Sequence, residues 1–197
     1  MKRIKKLLFI LLTALFLSQT AAHAQDGLST IMTMTIDGAI APASQQYLER
    51  AVNVAERQNA EMLILQLNTP GGSIDTMNEM LQIIRGSHIP IIVYVSPKGA
   101  MAGSAGTIIT LAGHASAMAP ETIIGAASPI NSDGTDIDDT AKAKATEALK
   151  ATVRALAERR GTEAIALAEA TIEEARAVSA KEAFEVGLVD FIANDLG

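Results

Sequence analysis

Apolar residues along this chain fall into short unbroken runs and longer stretches at helical spacing, and their alternation predicts an α/β fold built on a parallel sheet. Met62-Leu63-Ile64-Leu65-Gln66-Leu67 and Ile89-Pro90-Ile91-Ile92-Val93-Tyr94-Val95 are apolar enough for strands covered on both faces by helices. Between them Ile74, Met77, Met80, Leu81 and Ile84 recur at three and four, which marks a helix over 73–87 with one buried face. The same reading gives a strand at 30–36, a helix at 43–58, strands at 62–67 and 89–95, and a helix at 102–113. Short strands follow at 116–118 and 122–125, then helices at 138–160, 163–170 and 180–187, and a last strand that includes 189–193. Repeated strand-helix units imply right-handed crossovers and flanking helices.

Two turn segments interrupt this pattern at places where chemistry is expected. NTPGGS, from Asn68 to Ser73, and MAGSAGT, from Met101 to Thr107, each follow an apolar run and so sit where neighbouring parallel strands end. In open α/β sheets that edge binds ligands. Gly71 and Gly72 lack a Cβ and can bring bare N–H groups close to a substrate, while Ser73 suits the N-cap of the following helix. Ser104, between Gly103 and Gly106 at the start of another helix, is placed as a nucleophile in the positive end of the helix dipole. The N–H groups of Ala105 and Gly72 then form an oxyanion hole, typically worth several kcal/mol in a transition state. The competing explanation is plain packing, because small residues at a helix start also let helix and sheet approach closely.

A serine nucleophile needs a base, and the three histidines fit poorly. His23 lies in the leader, His88 follows a helix that has returned to the opposite end of the sheet, and His114 lies well beyond Ser104. Lysine remains, since a desolvated ammonium loses its proton near neutral pH. Lys98 sits in the turn Ser96-Pro97-Lys98-Gly99, and Lys181 reads as solvated behind an N-cap-like Ser179. Of Lys142, Lys144 and Lys150 on the long late helix, Lys144 shares a small apolar face with Ala148, Ala151 and Ala155. Spacing favours Lys144 and leaves Lys142 as its alternative.

NTPGGS, MAGSAGT, Met118-Ala119-Pro120 and Ile124-Gly125-Ala126-Ala127-Ser128-Pro129-Ile130, in that order, resemble the membrane-bound serine peptidases of the NfeD family, of the Clp-protease class. The similarity continues through RALAERRG (Arg154 to Gly161) and the ending Ala180 to Asp190, so it covers nearly all of the chain after the leader. It implies a Clp-protease/crotonase-like fold and a serine-lysine dyad that cleaves hydrophobic segments of membrane-associated proteins, with a stomatin-like partner. Carried over by residue, it implies Ser104 as nucleophile and Gly71-Gly72 as the oxyanion element. Counting back without gaps from Gly161 puts the family lysine at Lys144. Members commonly continue into transmembrane helices and a small β-barrel domain.

Composition adds the compartment and removes several function classes. Lys2, Arg3, Lys5 and Lys6 precede an apolar run from Leu7 to Leu17, and Ala22-His23-Ala24 offers a cleavage site, so 1–24 reads as a signal peptide and 25–197 as an exported peptidase domain. With no cysteine there is no disulfide, thiol nucleophile or thiolate metal site. No metal or organic cofactor is expected. A net charge of −6 that already includes the basic leader makes nucleic acid an improbable partner. Apolar residues such as the leucines of the late helices offer a seam for a homo-oligomer, at least a dimer. Two other classes stay in play: a catalytically silent module that binds peptides or membrane proteins, and a crotonase-like acyl-CoA enzyme.

Overall fold

The computed structural model describes residues 30–130 and 138–196; the expected leader, His23 and most of the acidic loop at 131–139 lie outside them. The chain runs β1 (Ile31–Asp37), α1 (Pro42–Arg57), β2 (Met62–Asn68), α2 (Ile74–Gly86), β3 (Ile91–Val95), β4 (Met101–Gly103), α3 (Ala105–Ala112), β5 (Ala115–Met118) and β6 (Ile123–Gly125). After the undescribed loop come α4 (Asp139–Ala157), a 3-10 turn (Glu158–Arg160), α5 (Thr162–Glu173), β7 (Ala177–Ser179), α6 (Ala180–Glu185) and β8 (Phe191–Ile192). The main sheet has the order β1-β2-β3-β5-β8, all pairs parallel. A second sheet, β4-β6-β7, joins it where Thr69 bridges Ala102.

One expectation fails in an instructive way. β2 is not fully covered on both faces: buried Leu63, Leu65 and Leu67 alternate with half-buried Met62, Ile64, Gln66 and Asn68, whereas β3 is buried at Ile91, Val93, Tyr94 and Val95. The second face carries polar groups that solvent tolerates, and Gln66 Nε2 bonds Thr35 Oγ1 across β1 at 3.4 Å. The helices bury the other face. Leu63, Leu65, Leu67, Met80, Ile84 and Ile91 are all fully buried there, in one core that also takes Val153 and Ala157 of α4. Removing such a side chain, as in Met80→Ala, typically costs 2–5 kcal/mol.

Two strands escaped the sequence reading. β4 and β7 are three residues each, too short to show a period, and β4 fell inside the helix expected from 102. β3 begins at Ile91 rather than Ile89 because Pro90 has no N–H to give, although its carbonyl still accepts from Leu63. Ser73 and Ser179 do cap their helices, and Ser179 forms a reciprocal box with Glu182. The leucines proposed for an oligomer seam are mostly core instead: Leu149 and Leu167 are buried, and Leu156 packs against them from a half-buried position. They face inward because α4 and α5 pair along that side. Phe184 is the large exposed apolar residue on the late helices.

At the amino-terminal end of β5, charge holds the late helices to the sheet. Arg160 follows α4 with only 2% of its side chain exposed; its Nη1 lies 3.0 Å from Asp190 Oδ1, and its Nη2 donates to Ser116 Oγ at 3.0 Å. The Nη1 approach is an ion pair without hydrogen-bond alignment, and Nε has no partner among the described residues. Asp190 Oδ2 in turn accepts from the Ser116 amide at 2.7 Å. Burial alone would raise the Asp190 pKa, but the Ser116 amide and the Arg160 guanidinium outweigh it and hold the carboxyl below its usual value.

Candidate active site

Ser104 stands between β4 and α3 with φ 50° and ψ −120°, a backbone conformation that side chains seldom adopt. Such a residue costs of order 1–3 kcal/mol and persists only where its surroundings fix it. They do so here. The Ser104 amide donates to the Gly125 carbonyl at 3.0 Å, and the amide of Thr107 closes the first turn onto the Ser104 carbonyl at 2.9 Å. The Ser104 side chain makes no capping bond to α3, so the hydroxyl stays available. A sharp strand-to-helix turn that presents a serine this way is the geometry of a nucleophile elbow.

The glycine turn after β2 lies directly against this serine. A Cβ on Gly71 (φ 115°) would fall 2.5 Å from Ser104 Cβ and 3.0 Å from its Oγ, so only glycine fits there. A Cβ on Gly72 would overlap the Ile40 carbonyl oxygen, because Ile40 clamps the turn by donating to Gly71 O at 2.8 Å and accepting from the Ser73 amide at 3.0 Å. The Gly71 amide is committed to Thr69 Oγ1 at 3.0 Å, whereas the Gly72 amide donates to no described residue. Ala105, as the first residue of α3, has no intrahelical acceptor for its own amide. Gly71 thus contributes space, while Gly72 and Ala105 contribute uncommitted donors.

Gly72, Ser104 and Ala105 line one cavity of about 540 Å³. Gly72, Ser104, Ala105 and Ser128 are among its polar lining, while Met77, Ile108, Pro129, Ile130 and Leu149 supply an apolar side. Asp75, in the first turn of α2, is the charged lining residue. A pocket of this size and lining suits a short apolar segment held by a few polar contacts. Among the described residues no three His, Cys, Asp or Glu side chains converge as a metal site would require.

The lysines are placed less closely. Leu149 brings α4 to the cavity, but Lys144 is exposed on the helix and does not line it. At about 100° per residue Lys144 points some 140° away from Leu149, whereas Lys142, half-buried, lies within about 20° of Leu149 and two turns before it. Lys150 is held charged by its bond to Glu173 at 2.9 Å, which raises its pKa. His114 is engaged at the other end of the sheet, where its Nδ1 accepts from the Ile91 amide at 3.1 Å. Burial and then Arg85 lower its pKa, which favours the neutral ring.

Three polar residues that support the site were not singled out from the sequence. Asn68 Oδ1 accepts from the Met101 amide at 3.0 Å while its Nδ2 donates to Asp37 at 2.9 Å, tying β1, β2 and β4 together behind the glycine turn. Thr107 Oγ1 accepts from the Gly125 amide at 3.0 Å and approaches the Ala102 carbonyl at 2.9 Å, fixing α3 to β4 and β6. Thr69 is fully buried beside Gly71. The available signal was their place inside the two motifs, as polar side chains among glycine, alanine and apolar neighbours.

With this geometry in hand, the relatives are informative. Membrane-bound protease PH1510 from Pyrococcus horikoshii is 39% identical over 164 residues, 82% of this chain and 36% of that protein. Membrane protein NfeD1b from Bacillus subtilis is 31% identical over 136 residues, 69% of this chain and 30% of its own length. The chain therefore spans roughly a third of these relatives. Among solved structures, the 1510-N membrane-bound stomatin-specific protease, as a serine-to-alanine mutant, superposes with a TM-score of 0.78 at 35% identity, covering 85% of this chain and 81% of that one. A lysine-to-alanine mutant of the same protease in complex with a substrate peptide gives the same score and identity over 77% of its chain. ClpP1 from Listeria monocytogenes, at 16% identity and a TM-score of 0.67 over 83% of this chain and 92% of its own, shows that the α/β fold is Clp-protease-like. A family profile described as NfeD1b, N-terminal domain, matches residues 30–196, and this chain belongs to that family.

Proposed function

We propose that this chain is a serine endopeptidase that cleaves hydrophobic segments of membrane-associated proteins. The observation that carries the proposal is Ser104 at positive φ, pressed against Gly71, with the uncommitted amides of Gly72 and Ala105 beside it in a cavity with an apolar side. Ser104 Oγ attacks the scissile carbonyl while a neutral lysine takes its proton, and the two amides bond the oxygen as it becomes negative. The same ammonium returns the proton to the leaving amine, and a water then hydrolyses the acyl-enzyme. No metal or organic cofactor takes part.

Lys144 is the base by family count, and relatives solved as serine-to-alanine and lysine-to-alanine mutants support a serine-lysine pair. The face of α4 that meets the cavity favours Lys142 as a second reading. Extended substrate would add a strand beside Gly72–Ile74 and Ala126–Ile130, both of which line the cavity, so that backbone bonds give affinity. The stomatin-specific relative suggests a stomatin-like partner. Export across the cytoplasmic membrane and assembly as at least a dimer belong to the same proposal. Among the described residues no helix is long and apolar enough to cross a membrane.

Apolar peptides incubated with the purified chain, with products read by mass, test this reading. Cutting that disappears in Ser104→Ala and Lys144→Ala but survives in Lys142→Ala establishes the dyad; loss in Lys142→Ala alone moves the base to that residue. Peptides bound equally by wild type and Ser104→Ala, and never cut, would instead make the chain a silent binding module. Binding of coenzyme A would revive the acyl-CoA reading.

A further inference from the structure

Thr69 touches both sides of the oxyanion hole, although neither of its side-chain groups reaches the cavity. Its Oγ1 accepts from the Gly71 amide at 3.0 Å and lies 3.3 Å from the Gly71 carbonyl, which closes a tight side-chain turn around the peptide preceding Gly72. Its Cγ2 lies on the bare Cα of Gly106, where a Cβ would come within 2.5 Å, in the first turn of α3 next to Ala105. Its backbone accepts from the Gly103 amide at 2.9 Å and donates to the Met101 carbonyl at 2.8 Å, so it is also zipped to the strand that ends just before Ser104. A single fully buried residue therefore contacts the glycine turn, the nucleophile strand and the helix start together.

We infer that Thr69 is a positioning residue that sets the aim and separation of the Gly72 and Ala105 amides. The inference rests on the endopeptidase reading above. The physical argument concerns the Gly71 amide. With Oγ1 as its acceptor, that N–H is turned away from the cavity and the next amide, of Gly72, is the one left open. Without the hydroxyl, a buried N–H has no acceptor and the two peptides around Gly71 (φ 115°) rotate to find one. Glycine offers little resistance to that rotation. An oxyanion donor is useful only near 3 Å from the developing negative charge, so a small rotation weakens the transition state and leaves ground-state contacts in place.

The test compares Thr69→Val, which keeps the shape and the methyl on Gly106 but deletes the hydroxyl, with Thr69→Ser, which keeps the hydroxyl. Each is assayed with an apolar peptide substrate and with a peptide boronic acid that forms a tetrahedral adduct on the serine. Thr69→Val should lower kcat at least about tenfold with KM within about twofold, and lose boronate affinity in parallel. Thr69→Ser should retain more than about half of the wild-type kcat. Should valine prevent folding, Thr69→Ala carries the same expected split between kcat and KM. Wild-type kcat in the hydroxyl-free variant, or equal losses in kcat and substrate affinity, overturns the inference while leaving Ser104-dependent cleavage standing. Wild-type chain with no Ser104-dependent cleavage overturns the inference together with the endopeptidase reading.

Discussion

The two ends of the main sheet each hold a cluster of buried polar groups, and the clusters are built from different chemistry. At the amino end of β5, Arg160, Asp190 and Ser116 close charge on charge, with Arg159 adding a bond to the His114 carbonyl at 3.0 Å. At the carboxyl end of β2, Thr69, Thr107 and Asn68 are neutral, and each accepts a backbone amide, with Asn68 also donating to Asp37. The first cluster uses its groups on one another and fastens late helices to early strands. The second takes up the Gly71, Gly125 and Met101 amides with its side chains and leaves those of Gly72 and Ala105 uncommitted. Openness, more than polarity, separates a site from a brace.

The widest separation should come from removing the proposed nucleophile. Ser104→Gly is expected to reduce peptide hydrolysis by roughly 10⁴-fold or more in a steady-state assay, since loss of a nucleophile removes what the rest of the machinery serves. Residual cutting near the wild-type rate would move the chemistry to another residue. Gly72→Ala comes next. Its new Cβ meets the Ile40 carbonyl, so the β1 extension and the glycine turn must separate. Turnover should fall at least about 100-fold, as for loss of an oxyanion donor, and overpacking should cost about 1–3 kcal/mol in urea unfolding.

The brace should show the opposite profile. Asp190→Ala leaves a guanidinium that is almost fully buried without its carboxylate, at a cost of about 3 kcal/mol by urea unfolding, while kcat per folded molecule stays unchanged. A milder version follows from pH. Because the folded pKa of Asp190 is depressed, its contribution is complete above the ordinary carboxylate value of about 4 and is lost as pH falls through the lower folded value. Unfolding midpoints measured on acidification should drop less steeply in Asp190→Asn than in wild type; an identical slope would show that this pair does not govern acid stability.

The two clusters also differ in how far the sequence reveals them. The glycine turn and the serine were legible because NTPGGS and MAGSAGT each follow an apolar run, and the helix at 74–86 was legible because Met77, Met80 and Ile84 keep a strict spacing. The positive φ of Ser104 was not, since a non-glycine residue gives no local sign that tertiary bonds will hold it there. Nor was the half-buried second face of β2, although Gln66 within its apolar run was a clue. The lysine stays ambiguous for a physical reason. In AKAKATEALKATVRALA nearly every face carries alanine, so periodicity barely distinguishes inside from outside, and Leu149 and Val153 fix the buried side only once packing is known. The brace at Arg160 and Asp190 joins residues distant in sequence, and neither spacing nor composition pairs them.

The smallest predicted effect is the most direct measure of what the open cluster costs the fold. Ser104 holds φ 50° in the structure, and glycine reaches that conformation without a Cβ penalty. Ser104→Gly should therefore recover about 1–3 kcal/mol of strain and give back about 0.5–1 kcal/mol through greater freedom of the unfolded chain, for a net gain of about 1 kcal/mol. Ala105→Gly is the control one residue later. It keeps the amide beside the cavity, but Ala105 already has helical geometry, so glycine brings only losses, about 1 kcal/mol of entropy together with its buried methyl. Thermal unfolding of the two variants should thus move in opposite directions from adjacent positions. If both fall together, Ser104 is not strained by its turn, and the serine is held at the helix start without a stability cost.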